Sequence, residues 1–237
     1  MDAIERFREM LDASKKVVFF GGAGVSTESG IPDFRSVDGL YSQKYDLPPE
    51  TIISHRYFIS HTKEFFKFYK DKMIFPDAKP NACHLKLAEL EAQGKLTAVV
   101  TQNIDGLHQR AGSRNVLELH GSVHRNYCMS CGKKYPLDYI LASDGVPTCE
   151  CGGIVRPDVV LYEESLDGDV INRSVKAISE ADMLIIGGTS LVVYPAASLI
   201  DFYNGDKLVL VNKSATGVDS RADLVIKDSI GKVFSQL

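Results

Sequence analysis

Six short apolar runs alternate with amphipathic segments along the chain, and this alternation restricts the possible folds more than any other feature of the sequence. Strands are predicted at Lys16–Phe20, Leu96–Thr101, Val116–Leu119, Met183–Gly187, Leu208–Asn212 and Leu224–Ile226. Helices are predicted at Ala3–Ala13, His61–Met73, Ala82–Gln93, Asp169–Ser179, Ala196–Tyr203 and from Ile230 onward. Short strands separated by helices are typical of a parallel sheet covered on both faces. The sequence therefore predicts an α/β fold with an open, doubly wound parallel sheet, which binds ligands beyond the carboxyl ends of its strands.

Two regions interrupt this alternation. Residues 36–80 are mostly helical in pattern and rich in aromatic side chains, and we interpret them as a packed helical subdomain. Residues 127–157 are rich in cysteine and glycine but poor in large apolar side chains. Such a segment buries little apolar surface of its own, so it needs a covalent or metal crosslink.

The composition narrows the class of protein. The 237 residues suit one large domain, or a large domain with a small module. A net charge of −4 argues against non-specific binding of nucleic acid, which needs a basic surface. No apolar stretch approaches the roughly 20 residues of a membrane span, and the acidic side chains of the first helix exclude a targeting peptide. We expect a cytoplasmic monomer that binds neither nucleic acid nor a membrane.

Four of the five cysteines form two close pairs, which is typical of a metal site. Cys128 and Cys131 form a C-x-x-C pair, and Cys149 and Cys151 form a C-x-C pair 17 residues further on. Four thiolates in this spacing supply the tetrahedral shell of a structural zinc ion. A redox pair is the main alternative, but the βαβ context of a thioredoxin-type motif is missing. With four sulfur ligands no open position is left for metal catalysis, so the chemistry must lie elsewhere.

The first predicted strand runs into a glycine turn that departs from the dinucleotide-binding pattern. Gly22-x-Gly24 is followed by Thr27 where G-x-G-x-x-G requires a third glycine. No acidic residue about 20 positions later is placed to bind the adenosine ribose. A simple NAD dehydrogenase is therefore disfavoured.

Polar residues also follow the next two strands. Gln102, Asn103 and Asp105 come after the second strand, and His120 ends the third apolar run. The carboxyl ends of neighbouring parallel strands are where an open sheet places its ligand. Taken singly, Asn103 and Asp105 could equally be helix caps, and His120 could be a structural histidine. His124 is interpreted as a surface or structural residue.

The second half of the chain repeats the pattern of strand, glycines and hydroxyl groups. Thr189 and Ser190 follow a strand, and Pro195 is placed at the first position of the next helix. Their hydroxyls and the backbone N–H groups could hold phosphate or ribose oxygens. Asn212 ends a later strand and could bind ribose hydroxyls, although turn chemistry alone also explains it.

Taken together, the motifs GAGVSTESGIPDFRS, TQNIDGLHQRAG, ELHGS, the two cysteine pairs, GTSLVVYPA and VN resemble, in this order, those of sirtuins of the bacterial type. Sirtuins are NAD-dependent protein lysine deacetylases or deacylases, and the resemblance covers nearly the whole chain. It implies a Rossmann-like NAD-binding domain made of residues 1–35, 81–120 and 158–237. A smaller domain would combine a helical insertion at 36–80 with a zinc-binding module at 121–157.

The resemblance also assigns roles to individual residues. NAD contacts are expected from Ala23, Gly24, Thr27, Asp33, Phe34, Arg35, Gln102, Asn103, Ile104, Asp105, His120, Gly188, Thr189, Ser190, Asn212 and Ile230. An acylated-lysine peptide would be added as a strand between Val160 and Tyr162 on one side and a strand at Val192, Val193 and Tyr194 on the other. Asn103 and His120 are the expected catalytic residues.

The reaction implied by the resemblance moves an acyl group from lysine to NAD and yields nicotinamide and 2′-O-acyl-ADP-ribose. His120 would be the general base on the ribose hydroxyls, since an ordinary pKa near 6.5 suits proton transfer at neutral pH. The alternatives are a mono-ADP-ribosyltransferase with the same NAD site and an NAD sensor without turnover. Intact Asn103, Asp105 and His120 favour turnover.

Two details of the sequence bear on the substrate. Glu163 stands where many sirtuins carry glycine after the peptide-binding strand, so this chain departs from the family there. Desuccinylase-type sirtuins carry a Tyr-x-x-Arg pair, and none occurs between Ser36 and Tyr57. A buried acyl carboxylate without that arginine would be costly, so acetyl and longer neutral acyl groups are expected.

Overall fold

The computed structural model describes residues 2–34, 39 and 47–237 and contains two β-sheets. The strands are β1 (Val17–Gly21), β2 (Leu96–Thr101), β3 (Val116–Glu118), β4 (Gly121–Cys128), β5 (Lys134–Pro136), β6 (Val155–Val159), β7 (Met183–Gly187), β8 (Leu208–Val211) and β9 (Leu224–Ile226). The α-helices are α1 (Ala3–Asp12), α2 (Pro49–Ile52), α3 (His55–Ser60), α4 (Thr62–Lys72), α5 (Ala82–Ala92), α6 (Leu107–Ala111), α7 (Leu137–Ala142), α8 (Gly168–Ser179) and α9 (Ile230–Phe234).

The larger sheet is parallel and has the order β3-β2-β1-β7-β8-β9. From β1 the chain adds β2 and then β3 on one side of the sheet, and from β7 it adds β8 and then β9 on the other side. The reversal therefore lies between β1 and β7, where Gly21 pairs with Gly187 at the carboxyl ends of both strands. An open sheet binds its ligand at such a reversal. The predicted Rossmann-like, doubly wound fold is confirmed.

Both faces of this sheet are buried, because successive side chains of a strand point to opposite faces. Val17 and Phe19 of β1 belong to a core formed with α1, α5 and α9. Val18 and Phe20 belong to a second core, formed with α8 and a 3₁₀ helix at Ala196–Phe202. Every residue of β1 is buried, which explains why its sequence is a continuous apolar run.

The predicted helix at Ala196–Tyr203 starts where expected but differs in type and in the position of Pro195. It is the 3₁₀ helix just named, and Pro195 is its N-cap residue instead of its first helical residue. The Tyr194–Pro195 peptide bond is cis. The other predicted helices of the described region are present within two residues of their expected ends.

The cysteine-rich segment folds around a small sheet that the sequence pattern did not predict. Its antiparallel order is β5-β4-β6, and α7 follows β5. Phe65 and Phe66 of α4 pack in one core with Tyr135, Ile140 and Val155 of this segment. The helical segment and the cysteine-rich segment therefore stabilise each other.

No helix within the described ranges is long and apolar enough to cross a membrane.

Arg35, one of the expected NAD contacts, lies outside the described residues.

Candidate active site

A cleft of about 1000 Å³ opens at the carboxyl ends of β1, β2, β7 and β8 and extends to the segment that follows β6. It brings together Ala23, Gly24, Thr27, Asp33, Phe34, Gln102, Asn103, Ile104, Asp105, His120, Gly188, Thr189, Ser190, Asn212 and Ile230. Val160, Tyr162, Val193 and Tyr194 also line it, whereas Val192 does not. Residues far apart in sequence thus meet at the place that the sheet topology indicates.

Two glycine turns pack against each other at the floor of the cleft. The N–H of Gly24 donates to the carbonyl of Gly188 over 2.8 Å. A Cβ on Gly24 would lie 2.8 Å from the Gly188 Cα, and a Cβ on Gly188 would lie 2.3 Å from the Val25 nitrogen. Gly188 also has a φ of +58°, which L-residues with a side chain rarely adopt. Both turns therefore require glycine, and their close approach fixes the first turn where it lines the cleft.

Ser26 links the two residues that follow β2. Its hydroxyl donates to Asp105 Oδ2 over 2.7 Å and accepts from Asn103 Nδ2 over 3.1 Å. Asp105 Oδ1 accepts from the N–H of Leu107, so the carboxylate also caps α6. Ser26 is almost fully buried, and sequence analysis assigned it no role. The signal that could have found it is a hydroxyl inside the glycine turn.

Gln102 and Thr189 connect the second strand end to the β7 turn. Gln102 Nε2 donates to Thr189 Oγ1 over 3.1 Å, and Thr189 Oγ1 also accepts from the N–H of Leu191. The Asn212 side chain donates to the carbonyl of Ser214 over 2.9 Å. The turn interpretation of Asn212 thus holds, and Asn212 also lines the cleft.

His120 lies between β3 and β4 with one ring nitrogen fixed. Its Nδ1 is 3.0 Å from the carbonyl oxygen of Gln102. A carbonyl only accepts, so Nδ1 carries the proton and Nε2 of the neutral ring keeps its lone pair. Burial lowers the pKa of His120, and the bond to Gln102 opposes this in part. The ring is therefore a neutral base at pH 7.

His124 has a structural contact with the same region. Its Nε2 lies 3.0 Å from the carbonyl oxygen of Asp105, and a Cβ on Gly106 would be 2.6 Å from its ring. The imidazole therefore packs on the turn that positions Asp105, in line with the structural interpretation.

The two segments expected to bind a peptide differ in conformation. The N–H of Val160 donates to the carbonyl of His120 over 3.0 Å, which continues β6 as an extended segment. The N–H and carbonyl of Tyr162 already bond to Ile53 and His55. The predicted strand at Val192–Tyr194 is wrong, because the chain bends there before the cis Tyr194–Pro195 bond.

Glu164 anchors the end of the β6 extension. Its carboxylate accepts two hydrogen bonds from Arg156, at 2.7 and 3.0 Å, and one from the N–H of Leu161. The His55 ring is a further partner at 2.8 Å. These partners outweigh the effect of burial, which would raise the pKa of Glu164, and they hold that pKa at about 2. The extension is thereby fixed to both the small sheet and α3.

The four paired cysteines lie together at one end of the small sheet. All four Sγ atoms are within 4.8 Å of one another, with 3.5 Å between Cys128 and Cys151 and 3.6 Å between Cys131 and Cys149. Tetrahedral zinc with Zn–S bonds of about 2.3 Å requires sulfurs roughly 3.8 Å apart. The cluster therefore fits a structural zinc ion.

The surroundings of the cysteines are also shaped for this cluster. The Tyr135 hydroxyl donates to Cys149 Sγ over 3.0 Å. A Cβ on Gly153 would lie 2.5 Å from Ser130 Oγ and 2.7 Å from Cys128 Sγ. Hydrogen bonds from outside the ligand shell orient the ligands of metal sites in this way.

Residues 22–195 match the model of the Sir2 family, which is most of the chain. The chain belongs to the Sir2 family. The resemblance to sirtuins found in the sequence motifs is thus confirmed. The NAD-dependent protein deacetylase of Clostridium acetobutylicum is 64% identical over 238 residues, which cover 99% of this chain and 97% of the relative. That of Clostridium perfringens is 61% identical over 240 residues, covering 100% and 98%.

Solved structures of Sir2 proteins share the whole architecture. A complex of Sir2 with a p53 peptide and NAD⁺ has a TM-score of 0.87 and 43% identity, covering 100% of this chain and 97% of that chain. A Sir2 complex with a deacetylated p53 peptide and 3′-O-acetyl ADP ribose has a TM-score of 0.91 and 42% identity, covering 98% and 96%.

Proposed function

We propose that this Sir2-family protein is an NAD-dependent protein lysine deacetylase that yields nicotinamide and 2′-O-acyl-ADP-ribose. The observation that carries the proposal is His120, a neutral base whose Nδ1 is fixed by Gln102 in the same cleft as Asn103 and Asp105. The names of the relatives and the NAD⁺ and peptide in the related structures support it. Relatives named deacetylases span nearly the entire chain.

The residues of the cleft suit NAD as a co-substrate. In the first glycine turn Ala23 and Thr27 offer backbone N–H groups for the pyrophosphate, while Gly24, whose own N–H bonds to Gly188, lets the ligand approach the backbone closely. Thr189, Ser190 and Asn212 offer hydroxyl and amide groups for phosphate and ribose. Asn103, Ile104 and Asp105 form the nicotinamide pocket, with Asp33 and Phe34 at the same opening. We extend the proposal to Arg35, Gly188 and Ile230 as NAD contacts.

NAD supplies the ribose carbon from which nicotinamide departs and the hydroxyl that accepts the acyl group. Nε2 of His120 takes a proton from the ribose hydroxyls. The Asn103 amide, which is held by its hydrogen bond to Ser26, orients the polar groups of the ligand in the same cleft. The apolar side chains of Ile104 and Phe34 exclude water, which would otherwise compete for the reactive sugar.

The acylated-lysine peptide is proposed to bind along Val160 and Tyr162 on one side and Val192, Val193 and Tyr194 on the other. Tyr194 is 73% exposed and Val192 is 54% exposed, so both residues are accessible to a bound peptide. Acetyl and longer neutral acyl groups suit the cleft, because Ile53, Met73 and Phe75 make part of its lining apolar. Lys72 also lines the cleft, and its ammonium lies 3.0 Å from Asp71.

The zinc ion in this proposal has a structural role at Cys128, Cys131, Cys149 and Cys151. A division into the NAD-binding domain (1–35, 81–120, 158–237), a helical insertion (36–80) and a zinc module (121–157) is supported by the core that α4 shares with the small sheet. Free thiol ligands suit the reducing cytoplasm, where we place the protein as a monomer.

The test is to incubate the zinc-loaded protein with NAD and an acetyl-lysine peptide and to analyse the products by mass spectrometry. We expect deacetylated peptide, nicotinamide and O-acetyl-ADP-ribose. His120→Ala is expected to abolish deacetylation while NAD binding stays within about tenfold, because the imidazole acts as a base and contributes little to ground-state affinity. Full activity of that variant would exclude the general-base role.

Two other outcomes would support the alternatives. ADP-ribose attached to protein would identify a mono-ADP-ribosyltransferase, since that reaction uses the same NAD cleavage with a different acceptor. NAD binding without products would identify a sensor.

A further inference from the structure

Glu163 adopts a backbone conformation that favours glycine. Its φ is +75°, and among the described residues only Leu191 shares a positive φ without being glycine. Such a conformation persists in a residue with a side chain only when its surroundings hold it in place. The contacts of Glu163 therefore indicate what this side chain does.

The carboxylate of Glu163 is held in place and still accessible. Its Oε2 accepts from the backbone N–H of Arg56 over 3.0 Å, near the start of α3. Its Oε1 lies 3.6 Å from Arg56 Nη2, but the Arg56 side chain is 85% exposed and the Glu163 side chain 44% exposed. The backbone bond orients the carboxylate, whereas the exposed guanidinium neutralises it only weakly because the pair is solvated.

Glu163 also lies at a free stretch of backbone on the cleft wall. Tyr162 before it uses its N–H for Ile53 and its carbonyl for His55. Glu164 after it is enclosed by Arg156, Leu161 and His55. Within the described part of the chain, the N–H and carbonyl of Glu163 itself make no protein hydrogen bond. An extended peptide that binds along this wall of the cleft would therefore form its backbone hydrogen bonds with the N–H and carbonyl of Glu163.

We infer that Glu163 is a specificity-determining residue, whose carboxylate favours substrates with lysine or arginine beside the acylated lysine. This inference rests on the proposed deacylase function and deepens it. A lysine or arginine next to the acyl-lysine is attracted by the fixed, half-exposed carboxylate of Glu163. An acidic residue at the same position is repelled by it.

The test compares kcat/KM for two acetyl-lysine peptides that differ only in the residues flanking the acetylated lysine, arginine in one and glutamate in the other. We expect the wild-type protein to favour the arginine peptide by roughly five- to tenfold at low salt, as is typical of half-exposed charges. Glu163→Gln keeps an acceptor for the Arg56 N–H but removes the charge, so the ratio falls to within about twofold. Glu163→Arg is expected to reverse the preference.

Two further variants sharpen the result. Arg56→Ala removes the competing guanidinium, so the preference for the arginine peptide rises. Glu180→Gln, on an exposed position at the end of α8, removes the same charge elsewhere and leaves the ratio unchanged. Thermal unfolding of each variant confirms that the fold is intact.

The outcomes separate this inference from the proposed function. Deacetylation of both peptides with a ratio that Glu163→Gln leaves unchanged would overturn the role of Glu163 alone. If the wild-type protein deacetylates neither peptide, the deacylase function itself is refuted.

Discussion

At the scale of single residues, hydrogen bonds to the backbone determine which atom of a side chain can react. The ring of His120 resembles any histidine in the sequence, but the Gln102 carbonyl fixes the proton on Nδ1. The two carboxylate oxygens of Asp105 also have different partners: Oδ1 accepts a hydrogen bond from the N–H of Leu107, and Oδ2 accepts one from the Ser26 hydroxyl. In His120, Nδ1 orients the ring and Nε2 keeps its lone pair for proton transfer. In Asp105, one oxygen orients the carboxylate and the other holds Ser26.

The pH dependence of activity follows from the burial of His120. Burial disfavours the imidazolium and lowers the pKa of His120, so the neutral base persists to lower pH than for an exposed histidine. We expect the acid limb of kcat/KM for the peptide to have its midpoint below the ordinary value of about 6.5. The measurement is kcat/KM between pH 5 and 9 at saturating zinc. A midpoint above pH 7 would contradict a desolvated neutral base.

The sequence could predict which residues meet in the cleft but not the hydrogen bonds that connect them. Gln102, Asn103, Asp105 and His120 were predictable because polar residues at strand ends are informative and the motifs are long. Ser26 was not, because a hydroxyl between a valine and a threonine gives no sign of its partner about 80 positions away. Hydrogen bonds between distant segments depend on the final packing, which no local pattern encodes.

At the scale of structural elements, the close contact between the turns after β1 and β7 positions the proposed NAD site. A side chain at Gly188 would meet the Val25 nitrogen at 2.3 Å and would need a φ of +58°. We expect Gly188→Ala to lower the free energy of unfolding by roughly 2–4 kcal/mol and to raise the KM for NAD at least tenfold, because the turns must separate.

The matched control is Gly217→Ala, since an added Cβ at Gly217 meets nothing within 4 Å and its φ is not positive. We expect its stability to stay within about 1 kcal/mol of the wild type. Urea unfolding and NAD-dependent initial rates measure both variants. Equal behaviour of the two would mean that the turns do not need this contact.

The elements themselves were unequally predictable. β2, β7 and β9 have the predicted ends, because their apolar runs stop at glycine or polar residues. The small sheet was missed because β4 reads GSVHRNYC and lacks a regular apolar alternation. Its strands are held by the cysteine cluster and by the core shared with α4, which are tertiary features. The strand expected at Val192–Tyr194 failed because the family role of a segment does not fix its conformation.

Removal of the metal is expected to disorder the small sheet and, through it, the site. β4 begins directly after His120 and β6 ends directly before Val160, so this sheet positions His120 and the start of the β6 extension. After chelation we expect hydrogen exchange to increase in β4 and β6 while β1 and β7 stay protected, and activity to be lost until zinc is restored.

The variants Cys131→Ser and Ser130→Ala separate the metal from the turn that carries it. The first removes a ligand and should reproduce the effect of chelation, whereas the second keeps all four sulfurs and one zinc ion per chain. An active, folded protein without metal would refute the structural role.

At the scale of the whole molecule, two buried histidines, His84 on α5 and His108 on α6, lie next to the parallel sheet, where the His108 ring centroid is 6.1 Å from that of Phe19 in β1. The rings of His84 and His108 have centroids 4.7 Å apart, and both residues are fully buried. His84 Nδ1 accepts from the N–H of Asn81, while within the described residues neither nitrogen of His108 has a protein partner. Burial lowers the pKa of His84 to about 4 and that of His108 well below its ordinary value, the latter also because of His84.

These pKa values link the stability of the fold to pH. Unfolding returns both rings to a pKa near 6.5, so below that pH the unfolded chain binds more protons than the folded one. The stabilisation is complete above pH 6.5 and is lost as the pH falls towards 4, by at most about 1.4 kcal/mol per pH unit for each histidine. The pKa of Glu164 is about 2 in the fold against an ordinary value of 4.5, so its contribution to stability is lost only as the pH falls below about 4.5.

We therefore expect the free energy of unfolding to fall between pH 7 and 5, and to fall less steeply in His108→Phe. Phenylalanine keeps a ring in the core and removes the proton uptake. Among the residues that the structure describes, neither nitrogen of His108 has a protein partner, so the substitution breaks no hydrogen bond within them. Urea unfolding of the zinc-loaded wild type and variant at several pH values measures the difference between their free energies of unfolding. Contributions from metal release and from the other titrating groups are the same in both proteins, so they cancel in this difference. His61→Phe, at an exposed position, is the control. Parallel pH profiles for wild type and His108→Phe would exclude His108 as a source of acid sensitivity, since the buried ring would then take up no proton when the chain unfolds.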